Sequence, residues 1–516
     1  MNAPALPDTR RPGAAVTVAV ALFAALWWAV LLLTQRTPPI DNVEQWVWSH
    51  GLAWGYYKHP PLPSWIAAAA QAVLGRAPWV IDLLGAACGV VTFVIFWRLL
   101  RRMRGAAFAT LALLAVLCLT YSTQRLNYFN HNTVLMPLAA AVIALSWRVT
   151  LRPSRWTWGA IGALLGLGLL AKYQMVLVVV CVTLWWLRIG GWRGAEHRWG
   201  ALLGGAAALA VFVPHLVWLV QSGWVPLNYA RASALGAHLP WGARPVHVFH
   251  WMADWFGNRL MPAWVLLAIA SWALARMPAD APASAPGHPG AALSRPFLLL
   301  WGLGPLLLMM AMSLATGSRL PFKWSTSFAL WTVPAVMACL PLAAALARVR
   351  ALPWPVGAGF AALQLMLLVA MQHGAHQPTP IGPSKKAREW RQRDFAPAAR
   401  VLDAQARAEL GGPAQIISGA YGVAGALAQQ LPGHPLVLID GDLGKSPWLR
   451  ADDLRDARVM WVEPACGVPA GAQALMPGWI VWPLPPGAVL QGRAPTDPRR
   501  WHQAMAQGGV SIRACP

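Results

Sequence analysis

The sequence predicts a polytopic α-helical membrane protein with a small C-terminal α/β domain on its outer face. Of its 516 residues, 57% are hydrophobic and only 11% are charged, which is typical of membrane proteins rather than of soluble domains. Apolar runs of span length recur along residues 1–372, whereas 11 of the 18 acidic residues lie in residues 373–516. We therefore divide the chain into a transmembrane domain, 1–372, and a C-terminal domain, 373–516.

The net charge of +23 does not indicate nucleic-acid binding in this chain. The surplus arises because acidic residues are scarce, while basic residues have a topological use at the ends of membrane spans. No helix-turn-helix, zinc-finger or RNA-binding motif accompanies the charge. We therefore expect membrane lipids, and no nucleic acid, among the partners.

Eleven apolar runs are candidate membrane spans. The first is too long for the apolar part of a typical signal peptide, and no cleavage motif follows it, so we interpret it as a retained span. A charge, Lys172, and several glycines separate the fifth run from the sixth. The runs cover residues 14–34, 79–97, 106–122, 133–147, 156–171, 173–187, 200–221, 260–275, 296–316, 325–347 and 353–372.

Basic residues set the predicted orientation of the spans. With the N-terminus inside the cell, the inner loops carry 16 Lys and Arg residues, and the outer loops before the C-terminal domain carry 10. This bias agrees with the positive-inside rule. An odd number of spans then places the C-terminal domain on the outer face.

Short apolar runs predict the α/β fold of the C-terminal domain. Residues 384–410 have the pattern of one amphipathic helix, and Cys466 and Cys515 would be able to form a disulfide outside the cytoplasm. The predicted strands are AQIISG, PLVLID, ARVMWVE and GWIVWPL, and the predicted helix after the first strand is YGVAGALAQQL.

Acid–base chemistry at the outer face has few carboxylates to use. Within residues 1–372, the acids at or near that face are Asp41, Glu44, Asp82 and Asp254. Asp41 and Glu44 are three residues apart, so on a helix they share a face. The same spacing is also typical of a capping box, in which Asp41 caps the helix and Glu44 closes it. Both interpretations stay open here, because a capping residue can also face a cavity.

Cations predicted on the same face suit a phosphate group. Lys172 lies between two apolar runs with no other charge nearby, and an ionisable group at such depth usually has a partner or a function. Arg319 and Lys323 lie four residues apart in the hairpin GSRLPFKWS, and Lys58 and Arg125 lie in outer loops. Such cations hold phosphate or pyrophosphate well. Snorkelling to lipid headgroups is the alternative for those at span ends.

The first outer loop is rich in aromatic rings. Residues 42–56 have the pattern of an amphipathic helix that lies on the membrane, and KHPPLPSW predicts a turn after it, because a residue before proline disfavours helix. Trp and Tyr anchor proteins at the membrane interface, and sugars also stack on such rings. The aromatic cluster is therefore compatible with a carbohydrate ligand but does not require one.

The order and spacing of these segments resemble the GT-C superfamily of polyprenyl-phosphate-sugar glycosyltransferases, in particular the bacterial PMT-like family and the lipid A aminoarabinose transferases. The acidic pair after the first span, followed by KHPPL and a short helix, resembles the opening of these enzymes. GALLGLGLLAKYQMVL, VPHLVWLVQSGWVPLNYA and TGSRLPFKWS resemble later segments. SGAYGVAGALAQQL resembles part of the C-terminal outer domain of one bacterial subgroup. The resemblance covers most of the chain.

The resemblance implies that a sugar moves from a polyprenyl-phosphate donor to an envelope acceptor, such as lipid A, core, another glycan or a protein. It implies a multi-pass protein of the bacterial inner membrane with its active site on the periplasmic face. It also implies that Asp41 and Glu44 are the catalytic carboxylates, with Asp41 as the best candidate for the base and Glu44 supporting it or substituting for it. The residues implied to bind substrate are Lys58, His59, Arg125, Asn130, His131, Asn132, Lys172, Tyr173, Arg319 and Lys323.

One departure from the family concerns a metal. Many relatives have an Asp in the second outer loop, whereas this chain reads LNYFNHNTVLMP there. Amides can hydrogen-bond sugar hydroxyls, but they replace the second carboxylate that a metal would need. We assign no metal ligand from the sequence, and a divalent metal cofactor stays open.

The chemistry that the resemblance implies matches these residue types. A phosphate ester is already a good leaving group, so cations rather than a general acid stabilise it, while the attacking hydroxyl needs a base. One base without a covalent partner favours a single inverting displacement. The alternatives are a transporter or flippase for lipid-linked sugars, which often shows an internal repeat that we do not find here, and a non-catalytic glycan-binding membrane protein.

Reporter fusions test the predicted orientation. We expect alkaline phosphatase, which is active only outside the cytoplasm, to be active when it is fused after residue 373 and inactive when it is fused after Arg193, in a predicted inner loop. The physical reason is the excess of basic residues on the inner side. The reverse pattern of phosphatase activity would contradict the orientation.

Overall fold

Helices make up most of the structure, a computed structural model that describes residues 11–235, 238–277, 290–375, 387–464, 472–476 and 478–484. Short 3-10 and π-helical turns connect several of them. The helices are α1 (Arg11–Thr34), α2 (Ile40–Trp48), α3 (Leu62–Leu74), α4 (Pro78–Arg104), α5 (Ala106–Leu117), α6 (His131–Leu151), α7 (Arg155–Ala171), α8 (Met175–Arg188), α9 (Ala195–Gln221), α10 (Val225–Ala230), α11 (Arg244–Ala253), α12 (Met261–Ala275), α13 (Ala291–Thr316), α14 (Ala329–Met337), α15 (Leu342–Arg348), α16 (Trp354–Ala375), α17 (Ala387–Gln392), α18 (Ala396–Leu410) and α19 (Tyr421–Gln430).

Six of these helices, α1, α4, α6, α9, α13 and α16, are long and apolar enough to cross a membrane. Two bent pairs, Trp241–Arg259 with α12 and α14 with α15, raise the number to eight in the described residues if each pair is one span. Each of the eleven predicted runs coincides with a helix or a bent pair. However, α5 and α8 have only 12 and 14 residues, which at ~1.5 Å per residue is short of ~30 Å of hydrocarbon. The count of eleven spans and the position of the N-terminus stay predictions.

The break at Lys172 lies where the sequence places it. Helix α7 ends at Ala171, Lys172 itself has an extended backbone (φ −161°), and α8 begins at Met175. Residues 156–187 therefore form two helices rather than one.

Helices α7 and α9 pack backbone against backbone. A Cβ atom added at Gly162 would lie 1.9 Å from the carbonyl oxygen of Gly204, and one added at Gly204 would lie 2.8 Å from the carbonyl oxygen of Trp158. Small residues at such contacts let membrane helices approach closely, so that dispersion attraction replaces the missing hydrophobic effect.

The C-terminal segment, as far as the structure describes it, contains a five-stranded sheet in the order β2-β1-β3-β5-β4. Strands β2, β1 and β3 are parallel, and β5 is antiparallel to both β3 and β4. The four predicted strands and the predicted helix α19 are present, and the edge strand β4 was not predicted. The strands are β1 (Ile416–Gly419), β2 (Leu436–Ile439), β3 (Val459–Pro464), β4 (Gln473–Met476) and β5 (Trp479–Leu484).

Two details of the C-terminal segment differ from expectation. The single helix predicted over residues 384–410 is wrong, because α17 ends at Gln392 and α18 begins at Ala396. The Asp394 carboxylate accepts the backbone N–H of Ala396, which favours a new helix start there. The proposed disulfide cysteines, Cys466 and Cys515, lie outside the described residues.

The C-terminal sheet shares a hydrophobic core with the first loop of the chain. Val43, Trp46 and Val47 of α2 belong to the same buried cluster as Val423 and Leu427 of α19. The expectation that residues 42–56 form one helix on the membrane surface is therefore wrong. Helix α2 ends at Trp48 and is almost wholly buried, because its apolar face packs on protein instead of lipid.

Substitutions at two glycines test the contact between α7 and α9. We expect Gly162→Val to lower the free energy of unfolding by about 1–3 kcal/mol, because the methyl groups would overlap the α9 backbone. Thermal unfolding in detergent micelles measures the effect. Gly205→Val is the matched control, since a Cβ there meets no atom within 4 Å. Equal melting temperatures for the two variants would contradict the close packing.

Candidate active site

Asp41 lies in the first turn of α2, but it does not cap the helix. The residue at the N-cap position is Pro39, and no side chain forms a cap hydrogen bond there. The capping-box interpretation of Asp41 and Glu44 is therefore wrong. Instead, Oδ2 of Asp41 accepts a 2.9 Å hydrogen bond from the side-chain amide of Asn130. The side chain is only partly buried, and it has no ion-pair partner among the described residues.

Asn130 is held rigidly by the start of α6. It is the N-cap of that helix, and its Oδ1 accepts the backbone N–H groups of Asn132 and Thr133. The Thr133 hydroxyl accepts the backbone N–H of Asn130 in return, which completes a capping box. Because Oδ1 is occupied in this way, the amide nitrogen of Asn130 is directed at Asp41.

A buried network lies beneath Asp41 and Asn130. The Asp82 carboxyl on α4 accepts hydrogen bonds of 2.6 Å from Asn42 and 3.1 Å from Asn127. Asn42 also binds the backbone of the 127–129 segment through both its amide nitrogen and its oxygen. The other predicted outer acid, Asp254, pairs with Arg259 at 2.5 Å. Both acids are thus committed to structural contacts.

Glu44 and Lys58 form a buried ion pair with a separation of 2.6 Å. Burial raises the pKa of Glu44, and the Lys58 charge opposes that rise. Burial alone would lower the pKa of Lys58, but Glu44 and nearby tyrosines more than offset it, so the pKa of Lys58 is raised well above its usual value. Two of the predicted site residues, Glu44 and Lys58, are therefore bound to each other.

Three tyrosine rings surround the Lys58 ammonium, and the sequence analysis did not select any of them. Its Nζ lies 3.8 Å from the ring centre of Tyr421, 5.1 Å from that of Tyr57 and 5.7 Å from that of Tyr229. Cations within about 6 Å of an aromatic face are stabilised by the ring. The position of Tyr421, directly after a strand and at the start of a helix, was the signal that a reader of the sequence had available.

Lys172 is buried in the same site. Its Nζ donates a hydrogen bond to Oδ1 of Asn132 and lies 5.7 Å from the ring centre of Trp324. Burial lowers the pKa of Lys172 well below its usual value, the charge of Lys323 lowers it further, and the charge of Asp41 opposes the shift. The predicted residues Asn130, Asn132 and Lys172 thus meet around Asp41, although they are far apart in sequence.

Two predicted histidines, His59 and His131, pack together. Tyr173 contacts another histidine, His215, which is not among the predicted site residues. The rings of His59 and His131 have centres 4.0 Å apart. Burial, followed by the charges of His131 and Lys172, lowers the pKa of His59 well below its usual value, so its imidazole is neutral at pH 7. The Tyr173 hydroxyl lies 2.9 Å from Nε2 of His215, whose Nδ1 lies 2.5 Å from the Trp54 carbonyl oxygen.

The remaining predicted cations differ in their positions. Lys323 is exposed, and its charge acts on Glu44 and His59, so it lies at the site. Arg125 packs on the rings of Tyr121 and Tyr128 and lines a cavity of about 130 Å³ beside the site. Arg319 is exposed and acts on His247 instead. The structure therefore brings Lys323 and Arg125 to the site but leaves Arg319 apart from it.

The side chains around Asp41 do not fit a divalent metal. Among the described residues, no three His, Cys, Asp or Glu side chains come together in a way that would hold an ion. In the 126–137 segment, Asn130 turns its side-chain N–H toward Asp41, and an N–H group cannot ligate a cation. We derive no step through a metal.

Comparison with known proteins gives the same picture over the whole chain. The family model for dolichyl-phosphate-mannose-protein mannosyltransferases matches residues 58–218. Lipopolysaccharide core galacturonosyltransferase RgtB of Rhizobium johnstonii is 25% identical over 485 residues, which are 92% of this chain and 92% of that protein. RgtA of the same organism is 28% identical over 187 residues, but this match covers only 35% of the chain and 36% of RgtA.

A solved structure shares the fold. The crystal structure of ArnT from Cupriavidus metallidurans bound to undecaprenyl phosphate aligns with a TM-score of 0.55 at 14% identity, and the alignment covers 94% of this chain and 99% of ArnT. The overall fold described above thus occurs in a protein of nearly the same extent.

A double-mutant cycle tests the buried ion pair. We expect Glu44→Gln or Lys58→Met alone to lower the free energy of unfolding by about 3–5 kcal/mol, because each leaves an uncompensated buried charge. The double variant removes both charges, so it is expected to be less destabilised than the sum of the two. Unfolding in detergent measures all three. Arg455→Met, which removes an exposed ion pair with Asp452, serves as a control, and additive single effects would contradict the pairing.

Proposed function

We propose that the chain is a membrane glycosyltransferase of the GT-C type, which transfers a sugar from a polyprenyl-phosphate donor to an envelope acceptor at the periplasmic face of a bacterial inner membrane. The names of RgtA and RgtB favour lipopolysaccharide core as the acceptor and galacturonic acid as the sugar to test first. The ligand of the ArnT crystal structure, undecaprenyl phosphate, supports a polyprenyl carrier.

The observation that carries this proposal is the meeting of two lysines with one carboxylate that has no ion-pair partner among the described residues. Asp41 is partly exposed and bound only to a neutral amide, whereas the buried Lys172 and the exposed Lys323 lie close enough for their charges to interact. A base beside a cationic pocket is what an acceptor hydroxyl and a leaving phosphate together require.

In the proposed reaction, Asp41 accepts the proton of the acceptor hydroxyl as the oxygen attacks the anomeric carbon. The bond from that carbon to the phosphate oxygen breaks, and the bonding electrons leave with the phosphate. Lys172 and Lys323 stabilise the negative charge that grows there. Because one base acts and no covalent intermediate forms, the anomeric centre inverts.

The other residues position these groups. Glu44 holds Lys58 in a buried pair, which makes Glu44 a supporting residue rather than a second base. Neutral His59 and the amide of Asn132 are suited to sugar hydroxyls, since both can donate or accept hydrogen bonds. Arg125, at the rim of the neighbouring cavity, is suited to the phosphate end of the carrier.

Mass spectrometry of the cell envelope tests the function. Cells that lack this gene are complemented with wild type, Asp41→Asn or Asp403→Asn, each at equal abundance in the membrane. We expect wild type to restore a sugar on lipid A or core and Asp41→Asn to restore about 100-fold less, because the base is gone. Asp403→Asn, which alters an acid on α18 that pairs with Arg407, is expected to match wild type. Equal restoration by Asp41→Asn would contradict the catalytic role.

A further inference from the structure

The Lys58 ammonium lies where the first loop contacts the C-terminal segment. It belongs to the first loop, and it forms its ion pair with Glu44 of the same loop. The ring closest to it, however, is Tyr421, which comes from the C-terminal segment. The other two rings, Tyr57 and Tyr229, are farther away.

Close packing between α2 and α19 fixes this arrangement. A Cβ atom at Gly425 would lie 2.6 Å from Cγ1 of Val43, and one at Gly422 would lie 3.0 Å from Cδ1 of Ile40. Tyr421 is the first residue of α19, and Asp41 and Glu44 are on α2. The helix that carries the acids is therefore held directly against the helix that carries Tyr421.

A lysine side chain is long and flexible, with a four-carbon stem. Glu44, the ion-pair partner of Lys58, lies one turn from Asp41 on α2, and the two carboxylates influence each other's charge. If Lys58 moved to Asp41, it would neutralise that carboxylate and make it a weaker base. The ring of Tyr421, 3.8 Å from Nζ, holds the ammonium on the side of Glu44.

We propose that Tyr421 is a positioning residue of the transferase, supplied by the C-terminal segment, which holds Lys58 on Glu44 and thereby keeps Asp41 available as the base. This inference rests on the proposed function. It assigns a role in catalysis to the C-terminal segment, which contributes a residue to the site and not only a lid or a scaffold.

The groups that surround these side chains come from several elements. Those that act on Lys58 or feel its charge are Glu44, Tyr57, His59, His131, Tyr229 and Tyr421. Those that act on Asp41 or feel its charge are Glu44, Arg125, Tyr128, Lys172 and Tyr421. In a variant without the Tyr421 ring, we expect Lys58 to move toward Asp41, while the other groups around Asp41 stay in place.

Steady-state kinetics of the full-length protein test the role of Tyr421. The probe is galacturonic acid linked to undecaprenyl phosphate, with lipopolysaccharide core as acceptor. We expect Tyr421→Leu to lower kcat at least about tenfold, with the KM for the donor within about twofold of wild type. The acid limb of the kcat–pH profile is expected to move to lower pH, because a carboxylate beside Lys58 loses its proton more readily.

Two matched variants separate this role from a structural one. Tyr421→Phe keeps the ring, so it is expected to retain at least half of the wild-type kcat and an unchanged pH profile. Tyr229→Leu removes a ring 5.7 Å from the same ammonium, so a smaller effect is expected. In a Lys58→Met background, Tyr421→Leu is expected to change kcat less than about twofold, because the group through which it acts is gone.

The outcomes distinguish the two proposals. If wild type is active, Asp41→Asn is inactive and Tyr421→Leu is fully active, the inference about Tyr421 fails alone. It also fails if Tyr421→Phe loses as much activity as Tyr421→Leu, or if the acid limb does not move. A wild-type protein that transfers nothing from this donor contradicts the proposed function and the inference together. Tyr421→Met, which fills similar space without a ring, replaces Tyr421→Leu if the latter does not accumulate in the membrane.

Discussion

The candidate site depends on one buried carboxyl group that takes no part in the chemistry. Asp82 lies inside the helical bundle, where a polar group without hydrogen bonds would cost several kcal/mol, of the order of 2–7. Asn42 and Asn127 satisfy it. Asp41 directly precedes Asn42, and Asn130 follows Asn127 by three residues. By fixing the two amides, Asp82 brings Asp41, the proposed base, and its hydrogen-bond donor Asn130 together across a separation of 89 residues.

The charges of the site fall into two groups with different surroundings. Glu44 and Lys58 neutralise each other in a buried pair beside aromatic rings, so together they attract no ion. Asp41, Lys172 and Lys323 lie around a partly open space, and the charges of Asp41 and Lys323 act on Lys172 in opposite directions. In the proposed reaction, this division leaves one carboxylate to accept a proton and two lysines to bind an anion.

The sequence predicted the helices and strands well because their signals are local. Apolar runs placed the membrane helices, and Lys172 correctly marked the break between α7 and α8. The prediction of a capping box was wrong because Pro39 occupies the N-cap position of α2. The prediction of a helix on the membrane surface was wrong because α2 packs against the C-terminal segment. The second cause is not local, because it depends on a packing partner from the C-terminal segment. The convergence of Asp41, Asn130 and Lys172 was inferred only from resemblance. The place of Tyr421 between a strand and a helix marked it as a candidate, but nothing local indicated that it contacts Lys58, 363 positions away.

The shared core of the first loop and the C-terminal sheet has a consequence for the order in which the protein matures. Helix α2 leaves the ribosome early, yet the groups that cover it, Trp390 on Pro38 and α19 on Val43, are made some 350 residues later. At ~5–20 residues per second, that interval is roughly 20–70 s. During this interval, Lys58 and Glu44 lack the Tyr421 ring and helix α19, which enclose their ion pair. The pocket around Lys58 and Glu44 is therefore completed only after the helices of residues 1–372 have been synthesised.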